Sequence, residues 1–117
     1  MTIKFISEID VGLRLGLAFI SIISVWEIAT LVHRQRVSLS TSLTNCVNTA
    51  LTQSGFTLVN LTPQIVVESY SLPTDFHGDP GDRTLTGTAR VEDFTLLTRD
   101  ENILQFAKQG YVRARKV

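Results

Sequence analysis

An apolar stretch near the N-terminus constrains this chain more than any other feature of its sequence. Leu15–Trp26 contains no charged residue, and mostly apolar residues continue past Glu27 to Val32. Eighteen residues in a helix span roughly 27 Å, which is close to the hydrocarbon thickness of a bilayer, about 30 Å. The pattern predicts one long apolar helix, from about residue 8 to residue 33, that crosses a membrane.

Polar residues at the ends of this stretch are typical of a membrane boundary, where an aromatic side chain is followed by basic ones. An acidic residue costs about 2.5–3.5 kcal/mol at the centre of a spanning helix, but Glu27 is off centre and could pair with a partner protein. The residues that we expect to lie at the boundary, or to contact a partner within the membrane, are Arg14, Trp26, Glu27, Arg34 and Arg36.

The apolar stretch allows two other interpretations. The helix could be buried between the subunits of a soluble oligomer, because its charge-free part has a length typical of a buried core helix. A cleaved signal peptide fits less well, because Glu8 and Asp10 precede the apolar part and no A-x-A-like cleavage site follows it.

The remainder of the chain changes from a helical pattern to alternating patterns. Helical spacing indicates an amphipathic helix over residues 39–51, carried by Leu39, Leu43, Cys46, Val47, Ala50 and Leu51. Alternation and β-branched residues predict strands at 56–61, 64–72 and 84–91. The predicted fold class is α+β, with an apolar helix and its flanks in residues 1–36 and a small domain with an antiparallel sheet of three to five strands in residues 37–117.

The last third of the chain allows two interpretations. Residues 94–98 and 103–107 flank a polar segment and predict a hairpin, whereas a helix capped by Asp100 and stopped at Gly110 is the alternative. Residues 111–117 then form a basic strand or a tail.

Chemistry-bearing residues are few. Asp75, His77, Asp79 and Asp82 lie in the segment 73–82, and carboxylates at such spacing can converge on a hard cation. They do not match an EF-hand loop, and Asp, Gly and Pro are the residues that any exposed turn uses. No catalytic motif appears, so the sequence predicts no enzyme, no cofactor and no metal site; a metal-dependent hydrolase centred on residues 75–82 is the alternative.

A basic segment near the end of the chain is the best candidate for partner contact. Tyr111, Arg113 and Arg115 would share one face of a strand, and Lys116 follows. This face could meet phosphate, acidic lipid or an acidic protein. Because the chain has eleven basic and eleven acidic residues, no overall field attracts nucleic acid, and nucleic acid is not expected as a partner.

Residues 55–61 resemble the processing site of type IV prepilins in their Gly55–Phe56 pair, although Asn60 stands where those proteins have Glu. We interpret this match as coincidental. The overall order of an apolar helix, an amphipathic helix and a sheet is similar to that of pilin-like subunits. The sequence thus predicts a non-enzymatic, single-pass membrane subunit that docks in a larger assembly or forms a homo-oligomer. A soluble oligomeric binding module and a pilin-like structural subunit are the alternatives.

Overall fold

The computed structural model of the chain describes residues 18–52 and 56–117. These residues divide into two units, one up to Asn60 and one from Leu61 to Val117. The first unit contains strand β1 (Phe19–Ser21), helix α1 (Ile22–His33), helix α2 (Leu43–Thr52) and strand β2 (Thr57–Val59). The second contains helix α3 (Pro63–Ser69), helix α4 (Pro80–Glu92), strand β3 (Thr95–Thr98), helix α5 (Glu101–Lys108) and strand β4 (Arg113–Lys116).

The predicted long apolar helix is wrong over its described part, because a strand and a helix meet within it at Ser21. The Ser21 side chain accepts a hydrogen bond from the backbone N–H of Ile23 at 3.1 Å and so caps the N-terminus of α1. The 12 residues of α1 extend only about 18 Å. Within the described ranges, no helix has the length and apolar character needed to cross a membrane.

The C-terminus of α1 is closed by a Schellman arrangement. Gln35 has a positive φ of 58°, and its N–H donates to the carbonyl of Val32 at 3.0 Å. The N–H of Arg36 donates to the carbonyl of Leu31 at 2.9 Å. These bonds satisfy carbonyls that the helix end would leave without partners, so α1 stops after His33.

The strands of the first unit run parallel. Phe19, Ile20 and Ser21 of β1 lie opposite Thr57, Leu58 and Val59 of β2. The predicted amphipathic helix is present between them in sequence as α2, but it begins at Leu43 and not at Leu39. Its start is capped by the Ser42 hydroxyl, 3.1 Å from the N–H of Asn45. Helices connect these parallel strands, as the crossover between parallel neighbours requires.

In the second unit, two segments that alternate in sequence are helices and not strands. Each begins at a capping residue followed by proline: Thr62–Pro63 for α3 and Asp79–Pro80 for α4. Proline is favoured in the first helical turn because its missing N–H would have no partner there. The strands predicted at 64–72 and 84–91 are therefore wrong, because strong helix starts override the alternating pattern.

Threonine hydroxyls explain how α4 can bury an alternating polar sequence. The hydroxyls of Thr84, Thr86 and Thr88 donate to carbonyls four residues earlier in the same helix, at 2.8, 2.8 and 2.6 Å respectively. Each buried hydroxyl therefore has a partner within its own helix.

Helix α4 crosses α3 with almost no space between their backbones. A Cβ built at Gly87 would lie 2.5 Å from the Ser69 Oγ and 3.1 Å from the carbonyl oxygen of Ile65. Ile65 and Ser69 are fully buried at this crossing. The absence of a side chain at Gly87 is what allows the two helices to approach this closely.

Strands β3 and β4 also pair in parallel, with Thr95 opposite Arg113 and Thr98 opposite Lys116. The predicted antiparallel sheet is thus wrong, and the alternative of a helix between Asp100 and Gly110 is what the structure contains, as α5. Gly110 has a φ of 88° and ends α5, while Tyr111 stacks back on Phe106 with ring centroids 5.1 Å apart. The core beneath this sheet consists of Phe76, Ala89, Ile103, Phe106 and Val112.

Candidate active site

The N-terminus of α4 is an ordered acidic turn. The Oδ1 atom of Asp79 accepts a hydrogen bond from the backbone N–H of Asp82 at 2.8 Å. Asp82 lies in the first helical turn and is half-buried. Carboxylates are favoured at this end because the helix dipole is positive there. The cap therefore fixes the backbone of the turn that carries Asp82.

The loop that leads into this turn is fastened by the Arg83 side chain. Its guanidinium donates to the carbonyls of Phe76 at 2.9 Å, Gly78 at 3.2 Å and Ser69 at 3.4 Å. The same group lies over the Tyr70 ring, 5.5 Å from its centroid. One planar cation therefore joins the end of α3, the loop and the start of α4.

Gly78 allows the loop to turn closely against the first turn of α4. A Cβ at this position would lie 2.5 Å from the Cε1 atom of Phe76 and 3.0 Å from the Cβ of Asp82. Phe76 in turn packs on Phe106, with ring centroids 5.0 Å apart. The loop before Asp79 is thus anchored in the core and placed by contact with Asp82.

We expect Arg83→Met to lower the free energy of unfolding by about 2 kcal/mol, since hydrogen bonds from a charged donor are lost to three carbonyls. Arg83→Lys should recover little of this loss, because an ammonium cannot reproduce the fork of donors. Urea unfolding measures both. Arg36→Met, at an exposed arginine, is the control and should leave stability unchanged; equal stability of all variants would contradict the fastening role.

A second pair of acidic residues follows the carboxyl end of β3. The backbone N–H of Asp100 donates to the Thr98 hydroxyl at 3.0 Å, and the Asp100 Oδ1 accepts from the N–H of Ile103 at 2.9 Å. Asp100 therefore caps α5, and Glu101 occupies the first turn of that helix. As at α4, the sequence places carboxylates where a helix begins.

The topology of the second unit directs these two acidic turns towards the same end. Asp93 ends α4 with a positive φ of 59°, and the N–H of Phe94 donates back to the carbonyl of Ala89 at 2.9 Å, so the chain reverses its direction before β3 begins. The N-terminus of α4 and the carboxyl end of β3 consequently share one end of the layer, where sites in open α/β arrangements form. We call this region the acidic end, defined by Asp79, Asp82, Asp100 and Glu101.

The chemistry available at the acidic end is that of hard oxygen ligands. In the described part of the chain, no three His, Cys, Asp or Glu side chains converge closely enough to form a complete metal cage. Mg²⁺ does not require one, because it commonly binds through one or two carboxylates, several waters and the phosphates of a substrate. The donor set therefore fits a hard divalent cation that is completed by an anionic substrate.

The sequence predicts that Asp79 and Asp82 lie in a turn. It points to Asp100 only as the cap of the alternative helix. The signal that could have corrected this is Asp79–Pro80 itself, which marks the start of a helix rather than the middle of a loop. Asp75 and His77, which the sequence groups with them, precede α4 and are exposed.

The predicted boundary residues lie in and after α1, apart from Arg14, which falls outside the described residues. Trp26 is 72% exposed and Glu27 is half-buried, both within α1. Arg34 and Arg36 are exposed after the helix. Their predicted setting, a spanning helix, is absent from the described residues; a role for them in partner contact stays a prediction.

Three of the predicted partner-contact residues lie in β4 and the fourth, Tyr111, precedes it, so the set is spread along the strand. Arg113, at the amino end, pairs with the carboxylate of Asp93 at 2.9 Å and also donates to its carbonyl. Tyr111 is exposed beside Arg113, on an open groove of about 430 Å³. Arg115 and Lys116 lie near the carboxyl end of the strand, and the Lys116 ammonium is 3.7 Å from the Glu101 carboxylate of the acidic end.

Comparison with known proteins gives two matches. The family described as PIN domain matches residues 3–109. "Ribonuclease VapC22" of Mycobacterium tuberculosis is 30% identical over 84 residues, which cover 72% of this chain. The match covers 63% of that ribonuclease, so this chain aligns with less than two thirds of its relative's length.

These matches overturn the prediction of a non-enzymatic, membrane-anchored subunit. The family match and the ribonuclease relative point to an enzyme, and the described residues contain no spanning helix that would support a membrane location or a membrane protein class. The expectation that nucleic acid is not a partner conflicts with the name of the relative, whereas binding to protein partners stays a prediction. Because the family match extends over residues 3–109 of 117, the chain belongs to the PIN domain family.

Proposed function

We propose that this chain is a ribonuclease whose acidic end cleaves RNA with the help of a divalent cation. The observation that carries the proposal is the family match together with two half-buried acidic residues in the first turns or caps of helices, Asp82 and Asp100, which the topology directs towards one end of the second unit. The identity to a named ribonuclease supports RNA as the substrate.

A divalent cation is needed for an electrostatic reason. Carboxylates alone repel the phosphates of RNA, and a hard cation between them converts this repulsion into attraction. When bound, Mg²⁺ would supply positive charge against the phosphate and favour ionisation of a coordinated water. Asp82 and Asp100 are the residues that would hold it, because both are half-buried at the acidic end.

Helix caps and loop contacts would position the two carboxylates that hold the cation. Asp79 uses one carboxylate oxygen to cap α4 and thereby orients the turn that carries Asp82. Arg83 and Gly78 fasten the loop before that turn. Asp100 uses one oxygen to cap α5, and a carboxylate that caps through one oxygen can still offer the other to a cation.

The purified chain should cleave a labelled single-stranded RNA in the presence of Mg²⁺, and EDTA should abolish cleavage until Mg²⁺ is restored in excess. Gel analysis of the products at successive times measures this. A single-stranded DNA of the same sequence reports whether the substrate sugar matters. Absence of cleavage with either Mg²⁺ or Mn²⁺, in a folded preparation, would contradict the proposal, as would cleavage that is unaffected by EDTA.

A further inference from the structure

We propose that Arg99 and Lys116 form a cationic rim beside the acidic end, and that phosphates flanking the cleaved bond of a single-stranded RNA bind to this rim. The ligand follows from the proposed ribonuclease function, on which this inference rests. The location of the rim follows from the sheet and its contacts.

The parallel pairing of β3 and β4 brings the two cations together. Lys116 lies opposite Thr98, the last residue of β3, and Arg99 is the next residue along the chain. The Arg99 Nε donates to the carbonyl of Val117 at 2.8 Å, and the N–H of Val117 donates to the carbonyl of Thr98 at 3.3 Å. The rim is therefore built on the same strand ends that position Asp100.

Both cations can bind phosphate without breaking strong interactions. The Lys116 ammonium is 3.7 Å from the Glu101 carboxylate, and these side chains are 68% and 80% exposed. Exposed pairs of this kind contribute little to stability, so a phosphate can replace Glu101 easily. The contact of Arg99 with Val117 uses one of the five N–H donors of its guanidinium.

Because the net charge of the chain is zero, binding of RNA requires a local cluster of cations. Eleven basic and eleven acidic residues balance, so the protein as a whole does not attract a polyanion. Four carboxylates at the acidic end oppose an approaching RNA strand. Cations next to them supply the phosphate contacts that set the position of the strand while contributing no base preference.

Three other basic residues of the second unit are placed differently. Arg113 is held by Asp93 at the amino end of β4, and Lys108 lies in the last turn of α5, at the opposite end of that helix from Asp100. Arg90 is paired with Glu68 at 2.7 Å. Of the basic residues that the sequence predicts for partner contact, Lys116 is the one that belongs to the rim.

The test measures RNA binding as a function of salt, in EDTA so that the RNA stays intact. Fluorescence anisotropy with a short labelled single-stranded RNA compares the wild type with Arg99→Gln/Lys116→Gln. Each phosphate contact contributes about 0.7 to the slope of log affinity against log salt, so the double variant should have a slope flatter by about 1.4. If the two lines meet near 1 M salt, affinity at about 0.1 M should fall roughly 25-fold.

The control with the same change of charge is Lys108→Gln/Arg113→Gln, which should keep the wild-type slope. Thermal unfolding of both double variants checks that they are folded. An unchanged slope in Arg99→Gln/Lys116→Gln, or an equal flattening in the control, overturns the rim. Cleavage by the wild type is measured in parallel with Mg²⁺: rim-dependent binding without any cleavage would refute the ribonuclease function and support the rim.

Discussion

Asp82→Asn should reduce the rate of RNA cleavage by about 100-fold or more while leaving the protein folded. A positioned cation stabilises a developing negative charge by several kcal/mol, and each 1.4 kcal/mol lost is about tenfold in rate. Asparagine preserves the size of the side chain but removes the charge that would hold the cation. Single-turnover cleavage of labelled RNA in Mg²⁺ gives the comparison with the wild type.

Asp100→Asn should also reduce the rate of cleavage by about 100-fold or more. This substitution distinguishes the loss of negative charge from a loss of stability. Asparagine caps helices about as well as aspartate, so α5 should keep its N-terminus in this variant. Asp75→Asn, at an exposed carboxylate that precedes the acidic end, should cleave at the wild-type rate. Full activity in both Asp82→Asn and Asp100→Asn would place the chemistry elsewhere in the chain.

Gly87→Val should lower the free energy of unfolding by about 3 kcal/mol, because its side chain would enter the space where α3 and α4 cross. The nearest atoms include the backbone carbonyl of Ile65 and the backbone N–H of Ser69, both 3.1 Å from a Cβ at this position. Backbone cannot rotate away as a flexible side chain can, so the helices must separate. Urea denaturation measures the loss.

A double-mutant cycle with Gly87→Ala and Ser69→Ala measures how closely the two helices cross. Alanine gains about 1 kcal/mol of helix propensity over glycine, which offsets part of the overpacking. Its Cβ would lie 2.5 Å from the Ser69 Oγ, so Ser69→Ala should relieve part of the strain. The two substitutions together should therefore be less destabilising than the sum of the single ones. Strict additivity would show that the crossing is not close in solution.

Local patterns in the sequence predicted two elements of the first unit correctly. Helical spacing over residues 39–51 corresponds to α2, and the β-branched run after Phe56 corresponds to β2. The prediction of strands failed at α4 because its threonines alternate with apolar residues. Hydrogen bonds from the threonine hydroxyls to the preceding turn allow this sequence to form a buried helix. The spacing of apolar residues does not reveal these bonds.

The long-range pairing of strands could not be read from the same patterns. An apolar run such as Ala18–Val32 is compatible with a membrane helix, a buried helix, or a strand followed by a helix. The Ser21 cap, one hydroxyl among many, decides between them. The acidic end was missed for a related reason: Asp82 and Asp100 are 18 positions apart in sequence, and only the direction of α4 against β3 places them at one end.

The order of the core residues along the sequence has a consequence for synthesis of the chain. The core begins in sequence at Phe76, and its last residue is Val112, in the segment that leads into β4. Since chains emerge from the N-terminus, Asp82 and Asp100 are both made before the last core residue. A nascent chain therefore carries its acidic residues for some time without the packed scaffold that orients them, and competence for cleavage would arise only as β4 docks.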